Sequence, residues 1–400
     1  MHSKNVSPEH GAPYILWLPS WYPNEREPFN GDFIQRHARA TALHFPVTVI
    51  HITQFGEWVP FNESKVVVHR QGQLQEVTVY FRFRPLGIGL LDKLRYNLEY
   101  YRVARRFLAT YFQKNGLPQR VHVHVPVKAG NLARWIQRKF GLGYVLSEHA
   151  STYLPEAPDN FFKRHFWYRR QVRQIFQQAA AVINVSATIG NVLRDLFRLK
   201  EVRTIHNVVD TDHFRYSGRK AGIFTFIHVS TLSEQKNIEG MLRAFEALQA
   251  IRTDWRLQIV GPPNAEVERL VAAGSFGGRV VLTGEVPYTG VAEQMKRAHA
   301  LVLFSRHENF PCVVVEALCC GLPVIASDVA GIKEAVNGSN GLLVPPGDGQ
   351  KLLEALLHMR ERYPQYHTEA IAAKASAAYN YPAIGGQIFN VYQIHPGGRS

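Results

Sequence analysis

Short β-branched runs separated by helix-length segments recur along almost the whole chain, and this alternation limits the fold more than any other feature. In the first half, strands are expected at YILWL (14–18), PVTVIHI (46–52), VTVYFRF (77–83), RVHVHV (120–125), GYVLSE (143–148) and AVINV (181–185). The second half repeats the scheme at IFTFIHVS (223–230), WRLQIVG (255–261), RVVLTG (279–284), ALVLFS (300–305) and PVIAS (323–327). Helical patterns lie between several of them, at 92–113 and 163–179, then near 237–250, 265–273, 290–298 and 311–320. Such alternation means parallel sheets with helices on both faces. Ligands of doubly wound sheets sit beyond the carboxyl ends of the strands, so two such units face one another across a cleft.

A chain of 400 residues suits two domains of about 200 residues each. Periodicity lapses at HNVVDTDHFRYSGRKAG (206–222), which places the junction. Electrostatics divide the chain at the same place. Residues 1–210 hold 28 of the 46 bases but only 15 of the 32 acids, so nearly all of the formal +14 belongs to the first half. Two halves with such different charge are expected to meet different partners. No apolar run approaches the roughly 18 residues of a membrane span. The opening MHSKNVSPEHGAP has no apolar h-region. Cys312, Cys319 and Cys320 fit no zinc spacing and no disulfide scaffold, so the expected compartment is the cytosol.

Several familiar chemistries find no support. There is no G-x-x-x-x-G-K-[ST] loop, no G-x-S-x-G elbow, and no G-x-G-x-x-G leading from a strand into a helix; Gly87 and Gly89 read as a loop. Asp210-Thr211-Asp212 is a D-x-D, a metal-holding pattern in some sugar transferases, but it falls in the interdomain segment. His122 and His124 share one strand face without a third ligand spaced near them, so a structural role is expected.

The most specific stretch is SRHENFPCVVVEA (305–317), which follows the strand ALVLF and opens a helix at Pro311. The free amides of that first turn, at Cys312 and Val313, together with the helix dipole, favour an anion. Glu316 lies about 7–8 Å further along the axis, the step from a diphosphate to its ribose. Glu308 precedes the helix on the other side. Two carboxylates bracketing an anion site suit a nucleotide-sugar; two salt-bridged glutamates flanking a core helix would have the same spacing.

In context, this segment resembles the Glu-x7-Glu signature of glycosyltransferase family 4, retaining nucleotide-sugar transferases of the two-domain GT-B fold. VSTLSEQKN (229–237) resembles the family's donor-phosphate loop with Lys236 at its lysine, and LQIVGPP (257–263), LTGEVP (282–287) and GLPVIASDVAGIKEAVNGSNGLLVPPGD (321–348) continue the match. PSWYPNEREPFNGDFIQRHARA (19–40) resembles the glycine-containing first loop, with Gly31 where backbone approaches the donor phosphate and a Cβ would intrude. SEHASTYLP (147–155) puts His149 at the histidine that contacts the donor sugar, and HNVVD (206–210) resembles the junction's Asn-Gly-Val-Asp.

The resemblance implies two Rossmann-like α/β domains facing across a cleft: an acceptor-side domain over 1–206, a donor-binding domain over 207–378, and a last segment, 379–400, crossing back to the first. It implies His149, Glu308 and Lys236 as catalytic residues, with Gly31, Thr231, Asn309, Phe310, Cys312, Val313 and Glu316 binding the donor. The diphosphate oxygens can accept the acceptor's proton, so no dedicated base is required, and neither metal nor cofactor is expected. One departure stands out. The family's loop carries an arginine where this chain has Thr231, and Arg203, Arg306 and Lys333 are candidates for the missing cation.

The implied partners are a nucleoside-diphosphate sugar and a saccharide acceptor, expected to be lipid-linked. The basic, aromatic helices at 94–112 and 161–176 suit an anionic surface at the inner face of the membrane. A nucleic-acid-binding protein would share the basic half but has no use for the motifs at 229–348, so no nucleic acid partner is expected. A sugar-nucleotide epimerase of the same fold, or a non-catalytic nucleotide-sugar-binding homologue, remains open as the alternative.

Overall fold

The computed structural model describes residues 11–54, 64–218 and 220–394. Two parallel sheets form from separate stretches of chain. The first holds β1 (Ile15–Pro19), β2 (Val47–Gln54), β3 (Ser64–Gln71), β4 (Leu74–Phe81), β5 (Arg120–His124), β6 (Tyr144–Glu148), β7 (Ala181–Asn184) and β8 (Arg203–Thr204), in the order β3-β4-β2-β1-β5-β6-β7-β8. Its helices are α1 (Asp32–Thr41), α2 (Gly89–Asn115), α3 (Ala129–Phe140), α4 (Phe166–Gln178) and α5 (Ala187–Phe197). All its pairings are parallel except that of β3, which closes a hairpin on β4 across Gly72, at φ +55°. The alternation gave no sign of this edge strand.

The second sheet holds β9 (Phe224–Val229), β10 (Trp255–Val260), β11 (Val280–Gly284), β12 (Ala300–Leu303), β13 (Val324–Ser327) and β14 (Gly341–Val344), ordered β11-β10-β9-β12-β13-β14. Around it lie α6 (Ile238–Ile251), α7 (Ala265–Ala273), α8 (Tyr288–Arg297), α9 (Cys312–Cys319), α10 (Ile332–Ala335), α11 (Gly349–Arg362) and α12 (Thr368–Tyr379). Helices cover both faces, so central strands such as β1, β12 and β13 are buried along their full length and read as continuous apolar runs.

The last helix, α13 (Tyr381–Ile394), packs on the first domain. Ile384, Ile388, Val391 and Tyr392 join Trp17 and Ile34 in one core. Gly385 lies so close to α1 that a Cβ would stand 2.1 Å from the Ala40 carbonyl oxygen. The Tyr392 hydroxyl bonds His122 Nδ1 at 2.5 Å, while His122 Nε2 meets the Ser147 hydroxyl at 2.8 Å. That is the structural use of the paired strand histidines.

In each sheet the order reverses at one point, between β1 and β5 and between β9 and β12. Such a reversal opens a crevice at the carboxyl edge, because the flanking crossovers leave on opposite faces. The loops after β1, β6, β9 and β12 therefore converge.

Candidate functional site

Those converging loops enclose one cavity of about 870 Å³ between the two domains. Among its lining residues are Trp21, Phe29 and Arg36 from the β1–α1 region, His149 after β6, Thr231 and Lys236 after β9, Tyr288 at the start of α8, and Glu308 through Val313 with Glu316 around the start of α9. Of the catalytic and donor-binding candidates named from the sequence, all but Gly31 line it. The reason for that glycine is intramolecular. Gly31 sits at φ +72° before α1, and a Cβ there would lie 2.7 Å from the Trp21 carbonyl carbon and oxygen. The backbone thus packs tightly on Trp21, itself part of the cavity lining.

Lys236 and Glu308 form an ion pair of 2.5 Å, both largely buried. The loops that carry them are knitted together. The Gln235 amide donates to the His307 carbonyl at 2.6 Å, and the Arg306 N–H donates to the Gln235 carbonyl at 2.8 Å. Helix α9 begins at Cys312, with Pro311 one place before it, and the Val314 N–H closes on the Pro311 carbonyl. The amides of Cys312 and Val313 thus precede the first bond of the helix, the position that suits an anion. The Cys312 thiol is pushed up to about 12 by burial, which excludes it as a nucleophile near neutral pH.

Glu316 is buried on the next turn. The Tyr288 hydroxyl donates to its Oε1 at 3.0 Å, and Arg36 Nη2 stands 3.8 Å from the same oxygen. Burial pushes its carboxyl up to about 7, against the lowering effect of Arg36 and with a further rise from Asp32. Arg36 reaches it from α1 of the other domain, salt-bridged to Asp32 at 2.6 Å and seated 4.5 Å above the Tyr288 ring. Burial pulls this guanidinium's pKa down, but Tyr288, Cys312, Asp32 and Glu316 outweigh it and hold the pKa well above its ordinary value.

His149 follows β6 directly. Its ring lies parallel to that of His124, with Nε2 3.1 Å from His124 Nδ1, while its own Nδ1 is buried without a partner. Burial, with His37 and His122 adding to it, holds its pKa well below the ordinary value, so the imidazole is neutral. Glu148 fixes the turn beneath it by accepting the N–H groups of His149 and Ala150 and the Tyr153 hydroxyl.

Two donor-binding candidates turn out to hold the domains together. Asn309 donates its amide to the His149 carbonyl at 3.0 Å and accepts the Ser186 hydroxyl at 2.7 Å. Phe310 stacks on His206 at 4.3 Å, and its carbonyl accepts the Asn207 amide at 2.6 Å. Thr231 lines the cavity with its hydroxyl 3.4 Å from that of Ser233.

None of the three cations considered from the sequence lines the cavity. Arg203 pairs with Glu201, Arg306 donates to Asn237, and Lys333 is exposed. The lysine and arginine that do line it are Lys236 and Arg36, facing Asp32, Asp159, Glu234, Glu285, Glu308 and Glu316. Arg36 and Tyr288 had gone unmarked in the sequence, and His124, expected to be structural, stacks on His149. The D-x-D lies elsewhere, where Asp210 accepts the Asp212 N–H and the Tyr381 hydroxyl. Among the described residues no cluster of three or more His, Cys, Asp or Glu side chains could hold a metal ion.

Comparison with known proteins agrees with this arrangement. Residues 34–213 match the family described as Glycosyltransferase Family 4, and residues 223–362 match the one described as Glycosyl transferases group 1. TuaC of Bacillus subtilis (strain 168), assigned as a glycosyltransferase of teichuronic acid biosynthesis, is 24% identical over 360 residues, covering 86% of this chain and 88% of its own. The alpha-D-kanosaminyltransferase of Streptomyces kanamyceticus is 24% identical over 68% of this chain and 77% of its own. Sucrose-phosphate synthase from Thermosynechococcus elongatus superimposes with a TM-score of 0.74 at 20% identity, covering 95% of this chain and 98% of that one, which shows the shared GT-B fold.

Proposed function

The chain belongs to glycosyltransferase family 4, and on that premise we propose that it is a retaining, metal-independent enzyme. It moves a hexose from a nucleoside-diphosphate sugar to a hydroxyl of a lipid-linked saccharide in cell-surface polysaccharide or lipopolysaccharide synthesis. The observation that carries this reading is the interdomain cavity in which Glu308, Glu316, Lys236, His149 and the open first turn of α9 meet.

In the reaction the bond from the anomeric carbon to the diphosphate oxygen breaks. A bond from that carbon to the acceptor oxygen forms on the same face, and the acceptor's proton passes to a diphosphate oxygen. Lys236 and the amides of Cys312 and Val313 stabilise the charge that grows on the leaving diphosphate. Glu316 accepts the ribose hydroxyls, Glu308 orients the hydroxyls of the transferred sugar, and neutral His149 supports the oxocarbenium-like transition state. Closure of the domains over the bound donor expels water, which limits hydrolysis of the donor.

The acceptor's lipid is supported by the surface beside the cleft. Leu90, Leu94 and Leu98 form an exposed apolar stripe on the first turns of α2, continued by exposed Arg102, Arg105 and Arg106. Exposed Phe166 and Trp167 begin α4 near Arg170 and Arg173. Both helices start at the carboxyl edge of the first sheet, the edge that faces the cavity. The aromatic residues of α2 itself play another part than the sequence pattern indicated, since Tyr100 and Phe112 pack inward. An apolar stripe with adjacent cations suits the headgroup boundary of an anionic membrane, consistent with a cytoplasmic enzyme at its inner face. Among the described residues no helix is long and apolar enough to cross a membrane.

A thermal-shift panel of UDP, GDP, ADP and their sugar conjugates, run on wild type and Glu316→Ala, tests the donor site. One base should stabilise the wild type by about 2.7 kcal/mol at 100 times its dissociation constant and leave the variant unmoved. Stabilisation by no nucleotide would refute the donor reading, and turnover without any acceptor would favour the epimerase.

A further inference from the structure

We propose that Arg36 is the second cation of the donor diphosphate site and that the acceptor-side domain delivers it across the cleft. Donor binding and domain closure are then one event. The inference rests on the donor reading above and goes beyond it in naming a residue and a coupling.

A nucleoside-diphosphate sugar carries two negative charges into a cavity lined, among the described residues, by six carboxylates and by one lysine and one arginine. Lys236 is already matched by Glu308 at 2.5 Å. The start of α9 offers roughly half a positive charge. Among the described residues Arg36 is the other lysine or arginine of the lining, and it sits at that helix end, beside the Cys312 thiol and 3.8 Å from Glu316. It is only 5% exposed, yet its Nε has no hydrogen-bond partner. A buried guanidinium with an unfilled donor is under-satisfied, and a diphosphate supplies the paired acceptor oxygens that the planar fork fits.

The surroundings hold the fork ready. Asp32, one turn earlier on α1, binds Nη1 at 2.6 Å, and the Tyr288 ring lies beneath the guanidinium. Without donor, Arg36 and Glu316 face one another across the two domains. With donor, phosphate oxygens take Arg36 and ribose hydroxyls take Glu316, so the nucleotide divides this contact and bridges the domains in its place. Because α1 belongs to one domain and α9 to the other, separation of the domains removes the second cation from the site. The charge absent at Thr231 on the donor-binding domain is in this way supplied from its neighbour.

The test compares UDP, GDP and ADP with uridine, guanosine and adenosine by calorimetry on wild type, Arg36→Gln, Arg36→Lys and the double variant Arg36→Gln/Thr231→Arg. Loss of the fork should weaken binding of the preferred diphosphate on the order of 30-fold and leave its nucleoside unchanged. Arg36→Lys, which keeps charge but not the fork, should fall between, and the added arginine at position 231 should recover most of the loss. Equal weakening of diphosphate and nucleoside in both single variants would assign Arg36 to domain packing and overturn the proposal. Unchanged diphosphate affinity in Arg36→Gln would also overturn it, with the donor reading intact. A wild type that binds none of the diphosphates overturns both.

Discussion

Replacing Glu316 with glutamine should make the ligand-free protein more stable at pH 8, although it removes an ion-pair partner of Arg36. The carboxyl titrates near 7 in the folded chain against an ordinary 4.5, with burial outweighing the attraction of Arg36. The folded state therefore holds this proton more tightly than the unfolded chain. Its contribution is fully present below about pH 4.5 and is lost as pH rises through 7. At about 1.4 kcal/mol per pH unit, the loss amounts to roughly 3 kcal/mol by pH 8. Glutamine cannot ionise, and its carbonyl oxygen still accepts the Tyr288 hydroxyl, now at 3.0 Å from the carboxylate. Calorimetric melts from pH 5 to pH 8 should show wild type losing ground between pH 5 and 7 while the variant stays level. The two should coincide near pH 4.5 and differ by roughly 6–10 °C at pH 8, the scale for a domain of this size. The same variant should no longer be stabilised by nucleotide, so a carboxylate that costs stability is kept for its ligand. Parallel pH profiles, or a variant less stable than wild type at pH 8, would refute the reasoning.

Other perturbations follow from the same geometry. Only ionised Glu316 can accept both ribose hydroxyls, so nucleoside-diphosphate affinity should strengthen up to about tenfold from pH 6 to pH 8; calorimetric titration showing no change would contradict this. Lys236→Ala should lower kcat by about 10² or more and destabilise the fold by leaving Glu308 buried without its partner. Adding Glu308→Gln should restore the melting temperature but not turnover, and recovery of turnover would remove Lys236 from the mechanism. Gly31→Ala should cost about 1–3 kcal/mol, from its left-handed backbone and the Trp21 carbonyl at 2.7 Å, read as a lower melting temperature. Changing Leu90, Leu94 and Leu98 together to serine should leave the melt unaltered and reduce co-sedimentation with phosphatidylglycerol vesicles, and unchanged sedimentation would move the membrane contact elsewhere.

The sequence by itself determined the two α/β halves and the placing of Glu308 and Glu316 about the start of α9, while Lys236 entered through the resemblance to the family. Both signals are local. Strand and helix periods repeat within a few residues, and a strand leading into a short loop and a helix sets its functional groups by backbone geometry alone. The place of His149, one step past the carboxyl end of β6, was legible for the same reason, while its role came from the resemblance to the family. The edge strand β3 escaped because an antiparallel hairpin leaves the alternation of strands and helices undisturbed. The leucine stripe of α2 was hidden because a helix with apolar residues around much of its circumference does not announce which arc is covered.

Only the tertiary structure shows what Gly31, Asn309, Phe310 and Arg36 touch. In sequence, Arg36 stands in QRHAR as one more base on a polar helix. Its meaning depends on contacts with Tyr288 and Glu316, more than 250 positions away on another domain. Burial, ion pairing and the raised carboxyl of Glu316 are properties of the closed cleft. They exist only once two independently folded sheets have set their carboxyl edges face to face.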